Sequence, residues 1–349
     1  MRQPDFESFA AVIQGKRKPS KVHLVELGVD IEVVKAVMEG VFSRHWSDDP
    51  QEQLLLRLEF ERLLGYDAHV FSSHFSGMPE FEKKTSSDFG PLARANRTWA
   101  LEGIGLINSQ QDFHAVDWQA IRVDESPFLQ VKQHLPKGMK ILLFSTLFEQ
   151  VMEWWMGYEG LFVNLVENPE LVEDVFAQWG QKVFAFYQRF LSDPAVGGIF
   201  HADDMGFKTS TIVSPAVLEK YLFPWLKQFS RLAHDYGKLF LLHSCGNVSR
   251  IMPTLIQQIH IDGFHSFQDS ICPIVDFYDQ YPSIGALGGV DMDKLARYPP
   301  AELRAVVRAI LQHCAPGGRF ALGSGNTVAN YVPIRNFQIM LQEAERFAL

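Results

Sequence analysis

Short apolar runs of strand length alternate along this chain with longer stretches of helical period. The runs Val22–Leu27, His69–Ser73, Ile141–Thr146, Gly197–His201, Leu239–His243, Gly263–Ser266, Ile284–Gly288 and Phe320–Gly323 have the apolar character of strands buried on both faces. Between them, Gln51–Leu64, Pro169–Leu191, Pro215–Tyr236, Ser249–Ile259 and Pro300–Cys314 carry apolar residues at amphipathic-helix spacing. Pro215, Pro253 and Pro300 fall near the expected helix starts, where a missing amide hydrogen does no harm, and Asp30 and Ser214 stand at cap positions. Repeated strand–helix alternation predicts an α/β fold, a (β/α)8 TIM barrel. No Gly-x-Gly-x-x-Gly follows the first strand, which argues against a dinucleotide-binding open sheet. Residues 75–135 are turn-rich and poorly periodic, and are expected to form an elaborated loop with a small hairpin near the barrel mouth. No Pro/Gly/Ser-rich linker interrupts the pattern, so residues 1–349 are read as a single domain.

Composition narrows the partners rather than the fold. The net charge of −9 argues against non-specific binding to nucleic acid or anionic membrane. Cys245, Cys272 and Cys314 form no disulfide framework, which suits a reducing compartment. No secretory leader or membrane-length apolar run is apparent, and a cytoplasmic location is expected.

The candidate chemistry gathers at strand ends. In Leu239-Phe240-Leu241-Leu242-His243-Ser244-Cys245-Gly246-Asn247, a soft ligand pair stands where a buried strand should stop. His243 and Cys245 are two apart, so both side chains point to one face of an extended chain. A satisfied histidine beside a small buried thiol is the alternative. Glu26 ends the first run and could ligate a metal or act as acid or base; a rim carboxylate paired with a base is the alternative. Asp203 and Asp204 follow the fourth run, and strand alternation sends them to opposite sides, with Asp204 expected in the pocket. His265, Glu149 and Asn326 are candidate substrate-binding residues, Asn326 because its amide both donates and accepts. Asp291 is read as the cap of the helix that follows it. Trp154, Trp155 and Tyr158 read as core at helical spacing, or else as the wall of a large planar ligand. Cys272 and Cys314 lack partners at ligand spacing and read as packed thiols.

Across nearly its whole length the chain resembles the uroporphyrinogen decarboxylase superfamily, through His201–Gly206, Ser214-Pro215, His243–Asn247, Leu287–Asp291, Ala315–Phe320 and Gly323–Pro333. The resemblance implies a TIM barrel with its site in the cleft at the carboxyl ends of the strands. Decarboxylases of this superfamily grip their substrate's carboxylates with an arginine-bearing loop. Here that place reads Val25-Glu26-Leu27-Gly28-Val29-Asp30, and an acidic segment repels such a substrate. The zinc-dependent methyltransferase branch resembles the chain at His243 and Cys245. That likeness implies zinc on His243, Cys245 and a third group such as Glu26, with Glu26, Asp204 and His243 as catalytic residues. It also implies a corrinoid carried by a partner protein and a small methyl donor or acceptor, and makes a homodimer a candidate state. The branch's third ligand, a cysteine after a glycine near the eighth strand, is replaced by Asn326. A carboxy-lyase and a non-catalytic corrinoid- or tetrapyrrole-binding protein are the rival functions.

Overall fold

The computed structural model describes residues 3–88, 92, 96–100, 103 and 105–349. Seven strands form one parallel sheet in chain order: β1 (Ala68–Ser72), β2 (Lys140–Phe144), β3 (Val196–Ala202), β4 (Leu239–His243), β5 (Gly263–His265), β6 (Gly285–Val290) and β7 (Phe320–Ser324). Helices connect successive strands, the arrangement that parallel pairing requires. Every residue of β3 to β7 is buried, which is why these segments read as unbroken apolar runs.

The first expected strand, Val22–Leu27, is reduced to a single bridge. Leu24 pairs in parallel with Leu322, the Val25 amide donates to the Leu322 carbonyl at 3.0 Å, and the Leu322 amide donates to the His23 carbonyl at 2.9 Å. Beyond this bridge the Glu26 side chain, rather than the backbone, holds β7. Gly323 permits the approach, since a Cβ there would lie 1.8 Å from the Val25 carbonyl oxygen. Among the described residues no ladder joins Val22–Leu27 to β1, and a cavity of about 60 Å³ lies in that seam beside Glu26, Arg57 and Tyr66. The result is a TIM-barrel-like α/β fold.

Helix α1 (Phe6–Ile13) closes the amino end of the barrel, with Phe6 against Gly197 and Ile13 against Gly285. Phe6, Phe9 and Ile13 join Leu142, Phe200 and Leu241 in one buried cluster, and each large apolar side chain removed from water contributes about 1.5–3 kcal/mol. Beneath α1 lies a buried polar group. Ser8 Oγ is 3.2 Å from His23 Nε2, and His23 Nδ1 contacts the Asp67 carboxylate, whose other oxygen accepts from Lys21 at 2.8 Å and from the Asp5 amide at 2.7 Å. These groups have the order of a nucleophilic triad, yet Ser8 is 2% exposed inside a helix, so they tie α1 to the barrel instead of meeting a substrate.

Helices Pro169–Leu191 and Pro300–Cys314 form with the expected limits. The stretch Pro215–Tyr236 divides into Pro215–Tyr221 and Phe223–Asp235, because Pro224 has no amide to continue the first helix. Ser249–Ile259 is helical only from Met252, ending at His260 with φ 61°. Ser214 caps its helix through the Val217 amide. Asp30 makes no such bond, and its carboxylate accepts from the Asn330 amide at 3.0 Å. Asp291 caps the helix Met292–Arg297 through the amides of Asp293 and Lys294.

Residues 75–135 contain an antiparallel hairpin, Lys83–Ser87 with Asn96–Ala100, the two-residue ladder of Phe75–Ser76 with Arg122–Val123, and the helices Gln110–Ala115 and Ser126–His134. Residues 89–91, 93–95, 101–102 and 104 of this segment lie outside those described. Trp155 is buried among Trp118, Trp179 and Phe81, with ring centroids 4.6 to 5.6 Å apart, and belongs to the core. No helix among the described residues is long and apolar enough to cross a membrane.

Candidate metal centre

Strand register assembles the site. Ala202 of β3 pairs with His243 of β4, and His243 pairs with His265 of β5. In-register residues of a parallel sheet point the same way, and residues two further along do so again. Asp204, two past Ala202, therefore comes level with Cys245, two past His243. Ligand atoms of Asp204, His243 and Cys245 all lie within 4.8 Å of one another. His243 Nε2 is 3.4 Å from Asp204 Oδ1 and 3.5 Å from Cys245 Sγ.

Two loops are stapled together to make this possible. The Gly206 amide donates to the Cys245 carbonyl at 3.1 Å, and the Asn247 amide donates to the Phe207 carbonyl at 2.7 Å. Gly246 has φ 77°, and a Cβ on it would lie 2.3 Å from the Gly206 carbonyl group. Any larger residue at 246 would push the loops apart. The Cys245 amide also donates to Asp204 Oδ1 at 2.8 Å, fixing the carboxylate.

Alternation sends Asp203 the other way. It is fully buried, meets His201 Nε2 at 2.7 Å, and accepts the amides of Leu147 at 2.9 Å and Glu149 at 3.0 Å. Tyr187 holds the far side of His201 at 2.8 Å. This group, which periodicity did not reveal, shapes the loop after β2 and so places Glu149. Burial, then the charges of Asp204, Glu153 and Asp203, push the Glu149 carboxyl up to about 9, so it carries a proton near neutral pH.

His265 stands behind His243. Their Nδ1 atoms are 2.6 Å apart, and His265 Nε2 is 3.1 Å from the Ser324 carbonyl oxygen. A carbonyl only accepts, so His265 carries its hydrogen on Nε2. Burial, with His243 beside it, holds the His265 ring well below the ordinary histidine range, so it is neutral and its Nδ1 accepts. The hydrogen between the rings therefore belongs to His243 Nδ1. His243 presents Nε2 to Asp204 and Cys245, where it carries a proton for the carboxylate or gives its lone pair to a cation. A substrate-facing His265 does not fit this placement, because the residue is 0% exposed and both ring nitrogens are engaged.

Glu26 does not join the ligand cluster. Its oxygens are taken by the Ser324 amide at 3.1 Å and by the hydroxyls of Ser324 and Tyr66. Burial raises its carboxyl to about 8 against the pull of the Ser324 contacts. Asn326 reaches Cys245 instead of a metal. Its Oδ1 accepts the Thr327 amide at 2.7 Å, which fixes the amide orientation and leaves Nδ2 donating to Cys245 Sγ at 3.1 Å.

Burial and the neighbouring Asp204 push the Cys245 thiol well up, while the Ser266 hydroxyl, 3.8 Å away, opposes them weakly. Burial alone would raise Asp204 too, but the hydrogen bond and charge of His243 and the Cys245 amide bring it below its ordinary range. A thiol, a carboxylate and an imidazole converging on one place form a donor set compatible with a bound metal ion. Of the other thiols, Cys272 is half-buried and Cys314 buried, both outside this cluster.

No family model matches the chain, and no curated protein matches it in sequence. Among solved structures, a methyltransferase from Methanosarcina mazei superposes with a TM-score of 0.65 over 98% of this chain and 99% of that one, at 14% identity. The two proteins share a fold. A xylose isomerase-like TIM barrel protein from Mycobacterium smegmatis (TM-score 0.37, 12% identity, 85% and 90% of the two chains) is too distant to carry an argument. The same holds for a uronate isomerase from Bacillus halodurans (TM-score 0.39, 9% identity, 97% and 87%).

Proposed function

We propose that this chain is a zinc-assisted methyltransferase that moves a methyl group between a small substrate and a corrinoid carried by a partner protein. The observation that carries the proposal is the convergence of three donors within 4.8 Å of one another, with His243 at ligand-edge distance from the other two. Bonds of about 2.0 Å to nitrogen or oxygen and about 2.3 Å to sulfur, opened to a tetrahedral angle, give edges of about 3.3 to 3.6 Å. The separations of 3.4 Å from His243 to Asp204 and 3.5 Å from His243 to Cys245 already have that size. Three protein donors leave a fourth position open, as catalytic zinc sites do. The resemblance at His243 and Cys245 and the fold shared with a methyltransferase support the same assignment.

Zinc held there supplies a positive charge that keeps Cys245 as thiolate and lowers the pKa of a substrate heteroatom. Asp204, His243 and Cys245 bind it, and Asn326 donates to the sulfur, favouring the thiolate. His265 fixes which nitrogen of His243 is free. Glu149 holds a proton on its carboxyl beside Asp204 and offers it as a hydrogen bond to the substrate heteroatom. Asp203 orients Glu149 through its amide.

Spectrophotometry of the corrinoid tests the proposal. Zinc-loaded protein should interconvert methylcobalamin and cob(I)alamin when offered a panel of thiols and of methylated amines, ethers and thioethers, and the Cys245→Ala variant should not. No turnover with any member of the panel, by protein shown to hold zinc, would overturn it.

A further inference from the structure

We propose that Glu26 is a positioning residue for His243, acting through Ser324 and His265 across the barrel seam. The inference deepens the reading of His243 as a metal ligand and rests on it for its consequence, but its geometry stands without any metal.

The chain of contacts is continuous. Ser324 ends β7, and its amide donates to both oxygens of Glu26 at 3.1 Å. Its hydroxyl touches both Glu26 Oε2 and the Asn326 carbonyl oxygen. A hydroxyl has one hydrogen and a carbonyl can only accept. The Ser324 hydrogen therefore goes to Asn326, and Glu26 supplies the hydrogen of the other contact. Glu26 acts here as a neutral acid that donates once and accepts from an amide. Ser324 is thereby held at its amide and its hydroxyl, and its remaining polar atom, the carbonyl oxygen, accepts from His265 Nε2. Gly288 keeps this contact close-packed, since a Cβ there would lie 2.4 Å from the Ser324 oxygen and 2.9 Å from the His265 ring. His265 then takes the hydrogen of His243 Nδ1.

Partners of this kind fix the tautomer and orientation of a ligating histidine, and losing them typically costs 10- to 100-fold in metal affinity. The usual partner is a carboxylate or a backbone carbonyl. Here a second histidine intervenes, so the group that sets its direction lies one residue further out. Because Val22–Leu27 meets the barrel through one backbone bridge, the Glu26 side chain supplies the next link between that segment and the site.

Nitrogen-15 spectra of histidine-labelled, metal-free protein test this, with Glu26→Met and Glu26→Gln compared to wild type. Methionine fills the space without hydrogen bonds, whereas glutamine can donate to the Ser324 hydroxyl and accept its amide as the neutral acid does. Wild type and Glu26→Gln should show one His265 tautomer with hydrogen on Nε2, and Glu26→Met should show a mixture. Cobalt(II) affinity should then fall 10- to 100-fold in Glu26→Met and stay within about threefold in Glu26→Gln. Ser324→Ala, a milder cut in the same link, should shift the His265 signals in the same direction and serves if Glu26→Met does not fold. An unchanged tautomer in folded Glu26→Met or Ser324→Ala would overturn the proposal, as would Glu26→Gln behaving like Glu26→Met. Absence of methyl transfer would contradict the proposed function and leave these spectra unaffected.

Discussion

Both ends of the barrel hold a histidine against a carboxylate, and they differ in what is left over. At the amino end, Ser8, His23, Asp67, Lys21 and the Asp5 amide use one another up. Donors match acceptors, the positive Lys21 faces Asp67, and α1 closes over them. At the carboxyl end, Asp204, His243 and Cys245 point three ligand atoms at one place with no lysine or arginine among them. Self-satisfied polar groups that include no spare ligand atom stabilise a fold; at the carboxyl end the donors touch one another yet still aim three ligand atoms at one place, a geometry that a cation can use. The comparison explains why a Ser–His–Asp alignment here is structural, while a less familiar Asp–His–Cys set is the candidate site.

The largest expected effect falls on the amino end. Asp67→Ala strands the buried His23, takes one partner from the half-buried Lys21, and should cost about 3–5 kcal/mol in a urea unfolding curve. Zinc affinity of the folded protein should be unchanged; a parallel loss would show the two ends are not separable.

The two ends should also respond oppositely to pH. Glu26 and Glu149, raised by burial to about 8 and about 9, keep protons that the unfolded chain has lost. Their contribution to stability is complete below about pH 4 and is lost as pH rises through 8 and 9. Asp67 behaves the other way. Burial opposes its charge, but His23 and Lys21 prevail and lower it, so its contribution is present above about pH 4 and lost as pH falls below. Chemical denaturation at stepped pH should show stability declining steadily from about pH 5 toward pH 8–9, each tenfold difference in proton affinity between folded and unfolded chain being worth about 1.4 kcal/mol. Glu26→Gln should flatten that decline, and an unaltered slope would mean Glu26 is ionised in the folded protein.

Smaller effects sharpen the carboxyl end. His243→Ala and Cys245→Ala each remove a donor and should weaken zinc more than 100-fold, beyond what loss of an outer partner costs. Asn326→Ala removes only the hydrogen bond to the sulfur and should cost about tenfold, read by competition with a chelator. Equal losses in Asn326→Ala and Cys245→Ala would make Asn326 a ligand in its own right.

Much of this architecture is legible in the chain. β3 to β7 are buried on both faces, so their apolar runs stand out, and helices with Pro at the first turn have readable starts. His243 and Cys245 are visible as a pair because two-residue spacing at a strand end needs no tertiary knowledge. Alternation alone separates Asp203 from Asp204, but which of them faces His243 follows from the pairing of Ala202 with His243, which the sequence does not show. What periodicity does not carry is contact at long range. His265 looks like a pocket residue until its partner Ser324, 59 positions away, is known. Glu26 sits 298 positions from the serine that occupies it, and so reads equally well as a ligand. Val22–Leu27 has a strand's composition, but a ladder needs a neighbour in register, and only Leu24 finds one.

Elemental analysis of purified, zinc-replenished protein, alongside a His243→Ala, Cys245→Ala double variant, tests the central claim most directly. About one zinc per chain in wild type and none in the double variant is the expected result. A wild-type chain that holds no metal, or a double variant that holds as much, would contradict a metal centre at the carboxyl end of this barrel.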